Sequence, residues 1–213
     1  MRKPILLFLV IMLAFPCLVS AEIDTDLRFK FGSATGADEI EFENAIGHDS
    51  NSSGTNAQVE VILSRHQDSL FRFIMGIGLF HRHHSGEIQD LSIPIKVDYS
   101  VNGMSIAPGV RLRINDALNF EVKFEAGLGD AGQVTLNSPG VNWNATKRSS
   151  YNSISLIVGG YYLFKSPSIR VGVEVGMQEF EGNFEIWSNS GSWSSGSVSG
   201  EGGTANIVCG FQF

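Results

Sequence analysis

Three histidines in four residues, His81, His83 and His84, form the cluster whose types and spacing come nearest to chemistry. On an extended strand His81 and His83 point the same way, so their imidazoles could share a borderline metal such as zinc or copper, with Glu87 or His66 as third ligand. Two donors make a weak site, and no cysteine or carboxylate completes the spacing of a closed one. The bland reading, a solvated histidine-rich rim, is the expectation, with no cofactor. Ser85 adjoins His84, but neighbours on a strand point apart and no carboxylate is placed by sequence to orient a base. Gly127-Leu-Gly129-Asp-Ala-Gly132 matches a dinucleotide fingerprint, which needs a following helix and an acid about twenty residues on. Asn137, Pro139 and Gly140 deny the helix, and no acid occurs between Asp130 and Glu174. The chain is therefore expected not to be an enzyme, and the fingerprint reads as a strand running into a loop.

The elements carrying these residues are strands. Met104, Ile106, Pro108, Val110, Leu112 and Ile114 alternate with Ser105, Ala107, Gly109, Arg111 and Arg113. After a tight Asn115-Asp116 turn, Leu118, Phe120, Val122, Phe124, Ala126 and Leu128 alternate with Asn119, Glu121, Lys123, Glu125 and Gly127. The same period runs through 70–81, 88–100, 168–180 and 203–213, and less strictly through 57–64 and 152–164, making eight segments with 104–114 and 117–128. A ninth lies at 27–32. Up-and-down barrels close with an even number. Eight strands over 57–213 are expected, with 22–56 as a first strand, long loop or extension; ten result if 40–46 pairs with 27–32, and a third option is that one middle segment is not a spanning strand. Either way the fold class is all-β, a transmembrane antiparallel up-and-down barrel. The long polar stretches 130–151 and 186–202 then become outer loops, and Trp143, Trp187 and Trp193 an outer aromatic girdle.

Periodicity alone does not say which face meets solvent, since a soluble sandwich would bury the apolar face and a membrane barrel would turn it to lipid. Glycines at 76, 78, 109, 127, 172, 176 and 210 fall on the polar face, which suits a narrow interior. With that face inward, Glu60, Asp98, Glu121, Glu125 and Glu174 meet Arg72, Lys96, Arg111, Arg113, Lys123 and Arg170 in the lumen. So nearly balanced a set in a low-dielectric space should pair and plug it.

The ends agree. Arg2 and Lys3, an apolar stretch, and Val19-Ser20-Ala21 describe a signal peptide over 1–21. Cys17 lacks the small preceding residue of a lipidation site, and after cleavage Cys209 has no disulfide partner. The net charge of −7 becomes −9 when Arg2 and Lys3 leave, which argues against nucleic acid as partner. At the other end Ile207, Cys209, Phe211 and Phe213 share one strand face.

A terminal strand of this kind, closing on Phe, resembles the assembly signal of Gram-negative outer-membrane β-barrels. The central hairpin, Gly103 to Gly129, resembles that of the OmpX-like and OmpA-like porin-family small barrels. The resemblance implies an integral outer-membrane protein exported through the periplasm, in contact with lipid and lipopolysaccharide and with the barrel-assembly machinery during biogenesis. The expected role is display of extracellular loops for surface interaction or envelope integrity, toward a ligand the sequence does not name. The alternatives are a lipid A acyl hydrolase or acyltransferase built on the same barrel, and a narrow conduit for small apolar molecules.

Overall fold

The structure, a computed structural model, describes residues 23–42, 45–48, 52–65, 69–88, 95–138, 141–145, 149–166, 168–187 and 193–213. The expected signal peptide with Cys17, and His66, lie outside them. The strands are β1 (Ile23–Ala34), β2 (Glu39–Phe42), β3 (Ala45–His48), β4 (Ser53–Arg65), β5 (Phe71–Ile88), β6 (Ile95–Arg113), β7 (Leu118–Ser138), β8 (Val141–Ala145), β9 (Ser149–Lys165), β10 (Ser168–Trp187) and β11 (Trp193–Gln212). Eight of them, β1, β4, β5, β6, β7, β9, β10 and β11, pair in that order, and β11 returns to β1, where Phe29 faces Cys209. Closure leaves the ring no free edge, the condition for crossing lipid with strands. The short strands are branches: β2 adds to the upper part of β11 and carries β3, while β8 folds back on β7.

Eight is the expected number, but the membership differs. Segments 95–100 and 104–113 are one strand, and Asn102-Gly103, a dipeptide of turn-forming type between the two expected segments, sits in its middle opposite His81 and Phe80. Ladders to β5 and β7 carry the backbone straight through. The glycine answers to packing instead: a Cβ there would collide with the Phe80 ring and the Leu128 carbonyl. β1 supplies the missing strand, so the wall begins before residue 57, and residues 39–42 pair with β11 rather than with β1.

In the lower two thirds of the wall the alternation puts apolar groups outside. On β10, Val171, Val173 and Val175 face outward, as do Phe71, Phe73, Ile77 and Leu79 on β5 and Phe120, Val122 and Phe124 on β7. The runs last about 9–11 residues, the length a tilted strand needs to cross the hydrocarbon layer.

Above Met177, Leu79 and Met104 the chemistry changes sides while the strands keep their parity. Glu179, Glu181 and Asn183 are now outside on β10, and Phe180 and Phe184 are buried inside. On β6, Lys96 is exposed and Asp98 half-exposed, whereas Val97 and Tyr99 are fully enclosed. The expectation that Lys96 and Asp98 point into the lumen and Val97 and Tyr99 to lipid is thus reversed. A turn at 102–103 would have reset the faces; the continuous strand does not. The upper third is built like a soluble barrel, with an apolar core of Phe80, Tyr99, Tyr151, Phe180, Phe184 and Val198 among others and a polar wall in water.

The stretches expected to be long loops are mostly wall. β7 runs to Ser138, and β10 and β11 stay in register up to Trp187 opposite Trp193. Small residues on β11 and β10 make room for the core: a Cβ on Gly196 would stand 2.5 Å from the Phe184 ring, and one on Gly182 as close to that of Tyr99. The ten residues of β10 beyond Met177 lift the wall roughly 25 Å at ordinary rise and tilt. That height places the Trp187 and Trp193 backbones well above the lipid belt, not at its edge as a girdle requires. The opposite end has tight turns, such as Asn115-Asp116, and is the periplasmic end by the usual asymmetry of such barrels.

Candidate functional site

Every inward position of the membrane-spanning wall contributes to a filled lumen. At the periplasmic level Arg28 of β1 grips Glu121 of β7 with two hydrogen bonds of 2.7 Å. Arg111 donates to Glu121 (2.7 Å) and to Asp26 (2.5 Å), and Arg28 also reaches Asp26 at 3.0 Å. One level up, two lysines and two glutamates alternate. Lys30 lies 2.7 Å from Glu60 and 3.2 Å from Glu174, and Lys123 lies 3.1 Å and 2.7 Å from the same two acids. Tyr161 donates to Glu174, and the Arg28 guanidinium sits 4.4 Å over its ring. Above these, Arg82 pairs with Glu125 and donates to Asn56 (3.2 Å) and Ser153 (2.8 Å), while Gln58 donates to Glu125 and Ser105, each at 2.9 Å. Such ions survive burial because each charge meets an opposite one together with directed hydrogen bonds.

Arg170 breaks the pattern. It is 1% exposed, and its ionic contact is Asp26 at 3.4 Å, a carboxylate that Arg111 and Arg28 already hold more closely. Its Nε and Nη1 have no hydrogen-bond acceptor. Removing this surplus cation relieves more than it loses, so Arg170→Met is expected to leave stability within about 1 kcal/mol of the parent or to raise it. Urea titration of the refolded barrel in lipid checks this, and a loss beyond that range contradicts it.

The upper lumen is aromatic. The His84 ring stacks on Phe180 at 3.9 Å and lies 5.6 Å from Tyr151. Its Nδ1 is 2.6 Å from the Thr35 carbonyl and its Nε2 is 3.3 Å from the Tyr151 hydroxyl. Thr35 belongs to a strap, residues 35–38, that joins β1 to β2. The Thr35 N–H donates to Gln178 (3.3 Å), that of Ala37 to the Ser85 carbonyl (3.3 Å) and that of Asp38 to the Ser199 carbonyl (2.9 Å). Between strap, aromatic core and ionic levels, Asn56, Gln58, Arg82, Glu125, Gln178 and Asn206 surround a chamber of about 10 Å³, the size of one water.

Of the residues singled out for the lumen, Arg72, Arg111, Glu121, Lys123, Glu125, Arg170 and Glu174 lie inside. Arg72 stands at the lower edge, where it meets Asp24 at 3.0 Å. Arg113 does not join them; it turns to the rim and pairs with Asp116. Asp26, Arg28, Lys30, Arg82 and His84 also lie inside, and none of them is among the residues that alternation assigns to the lumen. The first three sit on β1, whose alternation 27–32 is visible in the sequence but compatible with a first strand or with an extension. The last two sit where His81 and His83 had drawn attention to the opposite face.

His81 and His83 point outward above the belt. His81 lies 2.9 Å from Asn102, and His83 lies 3.0 Å from Ser100 through Nδ1 and 3.5 Å from Asp98 through Nε2. Among the described residues no three His, Cys, Asp or Glu side chains gather as a metal site. Ser100, His83 and Asp98 do stand in the order of nucleophile, base and orienting acid. The acid contact is longer than a hydrogen bond, and the β6–β7 ladder shifts register between Ser100 and Val101. Ile207, Cys209, Phe211 and Phe213 all face outward on β11 or just beyond it, next to the β1 seam.

No protein-family model matches the sequence, and no curated protein matches it. Among solved structures, the outer membrane protein OprG of Pseudomonas aeruginosa superposes with a TM-score of 0.54 at 11% identity, over 91% of this chain and 96% of that one. The attachment invasion locus protein Ail of Yersinia pestis gives 0.40 at 13%, over 91% and 99%, and the Neisserial surface protein NspA gives 0.33 at 8%, over 87% and 95%. A closed eight-stranded ring, an apolar belt of membrane height and the likeness to OprG define a small outer-membrane β-barrel. The chain is an integral protein of the outer membrane.

Proposed function

We propose that this barrel is a non-enzymatic display scaffold, whose rigid head carries side chains outward for surface interaction or envelope integrity. The observation that carries the reading is a lumen filled at every level, ionic within the membrane and aromatic above it. A body of that kind serves as an anchor, and the groups left for contact are those on the outside of the head. On this reading the head stands among lipopolysaccharide sugars, and the outward face of β11 with Ile207, Cys209, Phe211 and Phe213 is what the assembly machinery engages. Planar-bilayer recordings of the refolded protein are expected to show no stable open channel. Steady conductance of porin size would instead support a conduit.

One observation favours a second reading, an acyl hydrolase acting at the outer leaflet: the Ser100, His83 and Asp98 alignment just above the belt. Lipid A mass spectra decide between the two. Identical spectra from cells with the parent, with Ser100→Ala and with no copy of the gene are expected for the scaffold. Loss of an acyl chain in the parent alone would establish the hydrolase.

A further inference from the structure

The lower lumen encloses one positive charge more than its acids balance. In the levels above, Lys30 and Lys123 share Glu60 and Glu174, and Arg82 meets Glu125. At the periplasmic level two carboxylates, Asp26 and Glu121, face three guanidinium groups, those of Arg28, Arg111 and Arg170. The pair at the lower edge, Arg72 and Asp24, adds one charge of each sign. Arg28 and Arg111 hold the two carboxylates at 2.5–3.0 Å, so the surplus falls on Arg170. Its Nε keeps a 3.4 Å approach to Asp26, and its Nη1 has no acceptor among the described residues. A cation enclosed in this state is costly, and an anion beside it offsets the cost.

We infer that the periplasmic end of the lumen binds one small monovalent inorganic anion, of chloride size, on the Nη1–Nη2 edge of Arg170. On that edge Nη2 donates to the Gln212 amide oxygen at 3.3 Å, a long bond to a neutral acceptor. Gln212 lies one row nearer the periplasm than Gly210, the partner of Arg170 across the β10–β11 ladder, and it is partly exposed. Gly210 itself brings no side chain between the two. Ser168, two residues before Arg170 on the same face of β10, is exposed beside Gln212. The Gln212 amide thus stands where the ion would sit and can make way for it. Turned about, its NH2 donates to the same anion, as the Ser168 hydroxyl can. The deficit is a single charge, which selects a monovalent ion. Arg170 is 1% exposed behind Gln212, which selects a small one over a phosphate or a lipid headgroup.

The test is urea unfolding of the refolded full barrel in phosphatidylcholine vesicles, with sodium gluconate replaced stepwise by sodium chloride at constant ionic strength. The folded-to-unfolded ratio of the parent is expected to rise about fourfold when chloride reaches three times its dissociation constant. Arg170→Met removes the cation and should show no such rise. Gln212→Glu tethers a carboxylate where the ion would sit, so it should exceed the parent in gluconate and lose the response to chloride. Chlorine-35 NMR of the folded samples reads binding directly, as line broadening by the parent in excess of that by Arg170→Met. A parent indifferent to chloride in either measurement overturns the proposal. So does a rise that persists in Arg170→Met, which would mark a general salt effect, or one that persists in Gln212→Glu.

Discussion

Glu121→Ala is expected to be among the most damaging single substitutions in this barrel, costing about 3–5 kcal/mol of unfolding free energy in lipid. Glu121 accepts both parallel hydrogen bonds from Arg28 and one from Arg111, and it is 1% exposed. Its loss leaves two enclosed guanidinium groups to share Asp26, which Arg170 also approaches. Three cations would then face one carboxylate at the same enclosed level. Glu121→Gln should recover part of the loss, since an amide oxygen still accepts hydrogen bonds. Urea-induced unfolding in vesicles, followed by electrophoretic heat-modifiability, gives the number. Glu181→Ala, on the exposed outer face of the head, should stay within about 0.5 kcal/mol and serves as reference. A Glu121→Ala barrel as stable as that reference would mean that the ionic levels do not hold the lumen together.

The second large effect separates the two halves of the wall. Val173 and Glu181 lie on the same outward face of β10, one in the lipid belt and one above it. Val173→Arg is expected to destabilise by about 2–4 kcal/mol, the cost of a cation at mid-membrane depth. Glu181→Arg, the same new side chain further up the same strand, should change stability by no more than about 0.5 kcal/mol, because water already solvates that position. Equal effects at the two sites would place the membrane boundary elsewhere on β10. The pair tests the exchange of environments directly, since backbone, strand and face are held constant.

The alternation of β5, β7 and β10 was legible because a strand with lipid on one side and a charged interior on the other writes its environment into every second residue. From it followed the all-β class and the sharing of one face by Arg111, Arg113, Glu121 and Glu125, while the glycines on that same face were what marked it as the inner one. Three things were not legible, each for a physical reason. Asn102-Gly103 carries a turn signal, and only ladders from β5 and β7 on either side hold it extended. Those partners lie far away in sequence, so the competition between local preference and long-range hydrogen bonding is settled only when the ring closes. The exchange of apolar and polar faces above Met104 and Met177 uses the same period as the belt. Alternation reports that two faces differ; it does not report whether lipid or water bathes the outer one. Lastly, Asp26, Arg28, Lys30 and Arg82 find their partners across the lumen, between strands not adjacent in sequence. Sequence by itself determined which side chains share a face and that charges were paired somewhere. Tertiary structure alone decided which charges meet, which cation is left over at Arg170, and that residues 35–38 are tied to β5, β10 and β11, because those outcomes depend on the diameter and register of a closed ring.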